Sequence, residues 1–297
     1  MDDRTSLLLP DDGHRAVRRA FDAPWPGPRG PEIRLAADDV ALTVRPVDGC
    51  RIGSLAFFGH EVLRPWTPER RAFQYGCFPM IPWVGRLADG ILAHAGETHR
   101  LPVNKPPHAL HGMACFAPWR TVEAAADRAV FAFDLGEPWP WRGTVTQTLR
   151  IVDGALETSL VIEAADTAFP ADAGWHPWFR KDLDGASGRL ELAFAADWQE
   201  EPGSNEVPTG RRIAPRPGPW DDCFGFEKGL RAKLIWPGLL TLDVASAARS
   251  MVVFDKQPDA TCLNPLSGPP NGVNTAPHLV APGAPLVIEA RWTPSRA

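Results

Sequence analysis

Residues 149–162 are LRIVDGALETSLVI, and this stretch decides the fold. Apolar and polar side chains alternate on both sides of Asp153-Gly154, and Asp-Gly between two alternating runs is a strong signal for a two-residue β-hairpin turn. The same period of two recurs along the chain and predicts strands that each bury one face. Further alternating runs lie at 40–44, 131–135, 190–194, 240–244, 252–254 and 286–292.

The rest of the sequence agrees with an all-β protein. After residue 33 no segment keeps apolar residues at the i, i+3, i+4, i+7 spacing of a helix over several turns. The 32 prolines and 26 glycines favour many turns between short strands. These patterns predict an all-β protein with antiparallel sheets, and 297 residues is a size that one large antiparallel β-sandwich often has. Because there is no internal repeat and no linker, residues 33–297 are predicted to form one domain. Residues 1–32 are predicted to be an extension, with a short helix around 14–21.

Composition excludes several classes of partner. The net charge of −5 and pI of about 5.9 leave no basic footprint for nucleic acid or an anionic membrane. No apolar run approaches the length of a membrane span, and the N-terminal run 7–9 is too short for a signal peptide. The five cysteines are scattered singly, which indicates reduced thiols. We therefore expect a cytoplasmic protein; its oligomeric state does not follow from the sequence.

Three segments carry residues suited to chemistry on a sugar. They are FPMIPWVGRL at 78–87, HALHG at 108–112 and GWHPWF at 174–179. Histidine exchanges protons near neutral pH, and a cleft with aromatic walls and a few polar groups suits a sugar ring. From the residues alone, His176 is more often a structural histidine in an aromatic wall than an acid. His108 and His111 lack further ligands at metal-binding spacing, so no metal site is predicted, and His94, His99 and His108 are predicted to be loop or surface residues.

Taken together and in this order, these segments resemble the aldose 1-epimerase (galactose mutarotase) family. The family has an Asn-Arg-Ile segment, a Leu-His-Gly motif, a His-Pro-aromatic-Phe motif and an Asp-x-Cys-Phe motif. They are matched by Gly85-Arg86-Leu87, by 110–112, by 176–179 and by 221–224. The resemblance runs from about Ile33 to Trp292. It implies a galactose mutarotase-like supersandwich, an open cleft for a small sugar substrate and no cofactor.

The family also implies roles for individual residues. The histidine matched by His176 is the acid that protonates the ring oxygen of the sugar. His111 and Arg86 are expected to hydrogen-bond the sugar. Asp221 is expected to accept a sugar hydroxyl, although two acidic turn residues at 221–222 remain an alternative. An apolar wall of the cleft is predicted to come from Trp83, Trp175 or Trp178.

One family position departs in this chain. The family has a catalytic glutamate in a Cys-x-Glu motif, where this chain has Cys262-Leu263-Asn264. An amide forms hydrogen bonds but does not accept a proton at neutral pH. Slow mutarotation, a replacement base such as Asp221 or Asp255, and sugar binding without turnover all stay open. So does a different reaction on a sugar ring.

Overall fold

Two antiparallel sheets contain most of the strands in the computed structural model, which describes residues 27–296. The helix predicted around residues 14–21 lies outside this range. The strands are β1 Ile33–Ala37, β2 Val40–Arg45, β3 Arg51–Phe57, β4 His60–Glu61, β5 Cys77–Met80, β6 Arg86–Leu87, β7 Ile91–His94, β8 Glu97–Arg100, β9 Ala109–Leu110, β10 Arg120–Ala124, β11 Arg128–Leu135, β12 Gly143–Val152, β13 Ala155–Ala164, β14 Phe169–Pro170, β15 Gly174–Arg180, β16 Glu191–Phe194, β17 Trp198–Pro202, β18 Pro208–Ile213, β19 Asp221–Gly225, β20 Leu230–Trp236, β21 Leu240–Ser246, β22 Ser250–Phe254, β23 Ala260–Leu266, β24 Leu279–Val280 and β25 Leu286–Arg296. Short 3-10 turns occur at Ala88–Gly90 and Ala114–Phe116, and a one-turn helix, α1, at Gly272–Thr275.

The larger sheet has eleven strands in the order β1-β2-β3-β5-β15-β23-β22-β19-β17-β18, with β4 beside β3. The second sheet has eight strands in the order β10-β11-β12-β13-β25-β21-β20-β16. Three two-stranded pairs, β6-β9, β7-β8 and β14-β24, complete the fold. The prediction of an all-β protein with antiparallel sheets is confirmed. No helix in the described part of the chain is long and apolar enough to cross a bilayer.

The hairpin predicted from residues 149–162 is β12-β13. Val152 pairs with Ala155, so Asp153 and Gly154 form the two-residue turn. Both turn residues have positive φ, 50° and 68°. A type I′ turn requires this, and its twist matches that of the flanking strands.

The core lies between the two sheets. Leu149 and Trp292 from the eight-stranded sheet and Trp175 and Phe179 from β15 are each no more than 1% exposed and belong to one apolar cluster. Side chains alternate between the faces of a strand, so the odd-numbered residues of β15 enter this core. The even-numbered residues of β15 therefore project from the outer face of the eleven-stranded sheet, where the candidate site lies.

Candidate active site

The site is built on neighbouring strands of the eleven-stranded sheet. His176 on β15 pairs with Phe78 on β5. On the other side of β15, Trp178 pairs with Cys262 of β23. In the same register, His176, two residues before Trp178, lies opposite Asn264. Opposite residues of an antiparallel pair project from the same face, with Cβ atoms about 5 Å apart. The histidine and the amide therefore face one space.

A cleft of about 600 Å³ lies over His176 and Asn264. Loops on the outer side of the sheet supply the remaining walls. The sequence-predicted residues that line it are Arg86, His111, His176, Trp178, Asp221 and Asn264. Lining residues that the sequence did not indicate include Gln74, Lys105, Glu206 and Lys256.

The imidazole of His176 lies between two aromatic rings. Its centroid is 4.8 Å from that of Phe78 and 5.3 Å from that of Trp178, with interplanar angles of 18° and 25°. The guanidinium carbon of Arg64 lies 3.8 Å from the centroid of the Trp178 ring. Burial lowers the pKa of His176 to about 3, and the charges of Arg64 and Arg51 act in the same direction. His176 is therefore neutral at pH 7.

His111 reaches the cleft from a tight turn after β9. Its φ is 63°, and that of Gly112 is 70°. A Cβ at Gly112 would lie 2.0 Å from the carbonyl oxygen of Ile81, so only glycine fits there. The His111 ring meets the His176 ring edge-on at 4.8 Å. Burial lowers the pKa of His111 well below its usual value, and His176 and Arg86 contribute to the shift.

Several residues that line the cleft have a polar atom without a hydrogen-bond partner in the described part of the chain. Nδ1 of His111, Nδ1 of His176 and Oδ1 of Asn264 are buried and lack a hydrogen bond to any group within residues 27–296. Buried polar atoms in folded proteins are nearly always hydrogen-bonded. Three such atoms in one cleft are therefore suited to a polyhydroxylated ligand.

Arg86 forms an ion pair with a residue of a loop that the sequence did not indicate. Its Nη2 lies 3.0 Å from Oε2 of Glu206, in the β17-β18 loop. The buried His108 tethers this loop, because its Nδ1 accepts from the N–H of Asp89 and its Nε2 lies 2.7 Å from the carbonyl oxygen of Asn205. The prediction that His108 is a loop or surface histidine thus misses its buried structural role. No local pattern at Glu206 could have revealed this pairing, since it joins residues 120 positions apart in sequence.

A family model described as "Aldose 1-epimerase" matches residues 43–224, more than half of the chain. The chain belongs to the aldose 1-epimerase family. Gly85 shows how it departs from the family's Asn-Arg-Ile segment: its φ is 57°, a left-handed conformation that asparagine also tolerates. Glycine keeps the backbone path and loses the polar side chain.

Solved structures share this fold. A GalM/aldose epimerase homologue from C. elegans has a TM-score of 0.78 at 16% identity, covering 91% of this chain and 100% of that one. Galactose 1-epimerase from Lactobacillus acidophilus has a TM-score of 0.74 at 17% identity, covering 90% of this chain and 94% of that one. The galactose mutarotase-like fold is thereby confirmed.

Curated relatives match a shorter stretch. YihR of Escherichia coli K12 is 27% identical over 165 residues, 52% of each chain. YphB of the same organism is 25% identical over 122 residues, 40% of this chain and 41% of YphB. The chain thus spans about half or less of the length of these two relatives.

Asp221 lies at the mouth of the cleft. The protein around its carboxyl group raises its pKa by excluding water, while Arg86 and Lys256 oppose the shift. Asp221 is on β19, two strands away from Asn264 on β23, and is displaced from Asn264 by two residues in the strand direction. Strand spacing and rise place the two Cα atoms about 12 Å apart. Asp221 and Asn264 therefore line different parts of the cleft.

Three residues proposed from the sequence lie outside the cleft. Trp175 is 1% exposed in the core, where its Nε1 donates to Oε1 of Gln147 at 3.2 Å. Trp83 is also in the core. The alternation of β15 explains the first case, because Trp175 and His176 must face opposite ways. Asp255 is turned toward Lys181, 2.9 Å away, and is not a wall of the cleft. Of the three tryptophans, Trp178 lines the cleft.

The described residues contain no group of three or more His, Cys, Asp or Glu side chains arranged to hold a metal ion. The polar side chains that line the cleft carry imidazole, amide, guanidinium, ammonium and carboxylate groups.

Proposed function

We propose that this protein interconverts the α and β anomers of a monosaccharide or sugar derivative in the cleft. The observation that carries the proposal is that His111, His176 and Asn264 line one cleft and that each has a buried polar atom without a hydrogen bond to any group within residues 27–296. Trp178 lines the cleft, and because His176 and Arg64 stack on its ring, it is the apolar edge of this ring that is proposed to contact the C–H side of a pyranose. Arg86 and Asp221 are proposed to bind sugar hydroxyls.

The proposed reaction opens and recloses the sugar ring. The protonated form of His176, a small fraction at pH 7 because burial lowers its pKa to about 3, gives a proton to the ring oxygen as the bond between that oxygen and the anomeric carbon breaks, and the anomeric hydroxyl loses its proton to water or to a neutral imidazole. The product is an open-chain aldehyde. Rotation of the aldehyde carbon and reclosure by the same steps in reverse give the other anomer, and the proton returns to solvent or to His176. His111 is proposed to orient the ring oxygen by hydrogen bonding.

Asn264 sets the expected rate. Its amide can hold the anomeric hydroxyl but cannot take its proton. Asp221 is about 12 Å away between Cα atoms, too far to replace it without a chain of waters. The proton must then pass to water or to a neutral imidazole. Loss of a general base costs about 10²–10⁴-fold in rate, so we propose a slow mutarotase.

Polarimetry of freshly dissolved α-D-glucose and α-D-galactose tests this proposal. The expected result is an approach to equilibrium faster than in buffer, lost in His176→Ala, with a thermal melt to establish that the variant is folded. No acceleration, together with saturable sugar binding by calorimetry, would assign the cleft to a carbohydrate-binding protein instead. Neither acceleration nor binding across a panel of aldoses and their derivatives would refute the sugar site.

We also propose that residues 33–297 act as one domain in the cytoplasm. Strand β25 lies in the middle of its sheet, between β13 and β21, so residues from both ends of this range belong to one pair of sheets. All five cysteines are unpaired and buried, which suits a reducing compartment.

A further inference from the structure

A second groove lies on the outer face of the eight-stranded sheet, away from the active-site cleft. Its volume is about 680 Å³. Its residues alternate along the strands with core residues: Arg150 follows Leu149, and Arg291 precedes Trp292. The core thus separates this groove from the cleft, and a ligand in one has no contact with the other.

One row of side chains crosses the strands in this groove. In the sheet order β11-β12-β13-β25-β21-β20, each strand supplies one residue, and consecutive residues are direct cross-strand partners. The row is Arg128, Arg150, Glu157, Arg291, Ala245 and Arg231. With a strand spacing of about 4.8 Å, it is about 24 Å long.

The charges of the row are not balanced within the protein. Arg128 and Arg150 are directly opposed, an arrangement that is unfavourable in a sheet, and Arg128 is paired with Glu123 beside the groove. Glu157 is shared, because it contacts Arg291 and lies 4.0 Å from Arg150. At the far end Arg231 is exposed, and within residues 27–296 no carboxylate lies within salt-bridge distance of it.

A second cation stands beside the unpaired end of the row. Lys228 lines the groove, is exposed and likewise has no ion pair with any described residue. A sheet face built only for stability would pair or separate these charges. An arrangement that breaks a local rule without a compensating contact is typical of a functional surface.

The lining indicates the chemistry of the ligand. Its floor is made of small and hydroxyl side chains, including Thr148, Ser159 and Ala245. None of the described lining residues is aromatic, so the groove offers no stacking platform for nucleobases. Glu157 and Glu289 accept hydrogen bonds from hydroxyl groups, which every ring of a sugar chain carries.

We propose that this groove binds an acidic oligosaccharide, a short chain of uronate sugars laid across the strands. Such a chain carries one carboxylate on each ring, and a ring in the chain is about as long as the spacing between strands. Arginine binds carboxylates in a bidentate manner, and Arg150, Arg291 and Arg231 lie on every second strand of the row, so they bind the acidic groups of alternate rings. The glutamates and hydroxyl side chains bind the sugar hydroxyls. This proposal rests on observations independent of those for the active-site cleft.

Calorimetric titration with tetragalacturonate at low ionic strength tests it. We expect saturable binding that weakens as salt is added, because exposed charges are screened. Arg231→Gln should lower the affinity by about tenfold or more, the loss of one charge-assisted hydrogen bond. Lys233→Gln is the matched control, because it removes the same charge two residues along β20, where Lys233 pairs with Asp243 at 2.9 Å outside the groove. This control should bind as wild type does.

Two further ligands fix the class of partner. Maltotetraose, a neutral chain of the same length, should not bind the groove. Tighter binding of a single-stranded oligonucleotide than of tetragalacturonate would assign the groove to nucleic acid and overturn the proposal. Absence of tetragalacturonate binding at millimolar concentration, or equal losses in Arg231→Gln and Lys233→Gln, would also overturn it. Mutarotation by Arg231→Gln should equal that of wild type, so failure at this groove is distinguishable from failure at the cleft.

Discussion

Replacing Asn264 with glutamate is expected to speed mutarotation, and the structure sets the size of the gain. Asn264 is 2% exposed and stands opposite His176. Cβ atoms of such a pair are about 5 Å apart. At that distance and an effective dielectric constant of about 20, a carboxylate stabilises an imidazolium by about 3 kcal/mol. This free energy corresponds to an upward shift of about two pKa units.

The pKa of His176 would then rise from about 3 to roughly 5. The protonated fraction of this acid at pH 7 would grow about 100-fold, because each unit of pKa is a factor of ten. The new carboxylate also supplies the missing acceptor beside the anomeric hydroxyl. An increase in rate of about 10²-fold, the lower end for a general base, is therefore expected.

Polarimetry of α-D-galactose measures the rate, and an NMR titration of the histidine rings measures the pKa. Asn264→Gln is the matched control, since glutamine has the size of glutamate without its charge, and it should give no gain. His176→Ala in the Asn264→Glu background should remove the gain, because acid and base serve one proton-transfer cycle. Thermal unfolding establishes that each variant is folded.

A particular pair of results would refute this reasoning. Wild type would accelerate mutarotation as strongly as an efficient mutarotase, and Asn264→Glu and Asn264→Ala would both leave that rate unchanged. Another group would then be the base, and Asn264 would have no part in the proton transfer.

Sugar binding should change the tryptophan fluorescence; Trp178→Phe should remove most of the change and Trp83→Phe should leave it, because Trp178 lines the cleft and Trp83 lies in the core. The opposite pattern would contradict this cleft assignment. Trp175→Ala should lower the free energy of unfolding by about 3–5 kcal/mol in urea denaturation, the cost of a large cavity in the core. Burial raises the pKa of Asp172 from 3.8 to about 7, so as the pH rises the carboxyl group loses its proton at a lower pH in the unfolded chain than in the folded protein. Its contribution to stability is full below about pH 4 and is lost as pH rises through 7; Asp172→Asn should flatten that dependence in thermal melts between pH 4 and pH 8, and an unchanged slope would count against it.

Much of the fold could be predicted because its signals are local. The turn at Asp153-Gly154 needs two residues with positive φ, and the alternating residues on either side specify the buried face. The placement of Trp175 could have been predicted in the same way. Once His176 is assigned to the cleft, the period of two sends its neighbour to the core.

The partners of the site could not be predicted, because they depend on distant parts of the chain. Glu206 reaches Arg86 through a loop held by His108, and no local pattern indicates that contact. The arginine row is similar: Arg128, Arg150, Arg231 and Arg291 are ordinary surface residues in the sequence, and only strand pairing brings them into line.

The sequence by itself determined the strand pattern, the antiparallel class, the resemblance to aldose 1-epimerases and the absence of a carboxylate at residue 264. These depend on residue type and short spacing. The tertiary structure alone decided that His176 and Asn264 lie opposite each other on neighbouring strands, that Glu206 pairs with Arg86, and that burial keeps both cleft histidines neutral at pH 7. The physical reason is that register, burial and electrostatic environment are set by residues far apart in sequence, which come together only when the sheets form.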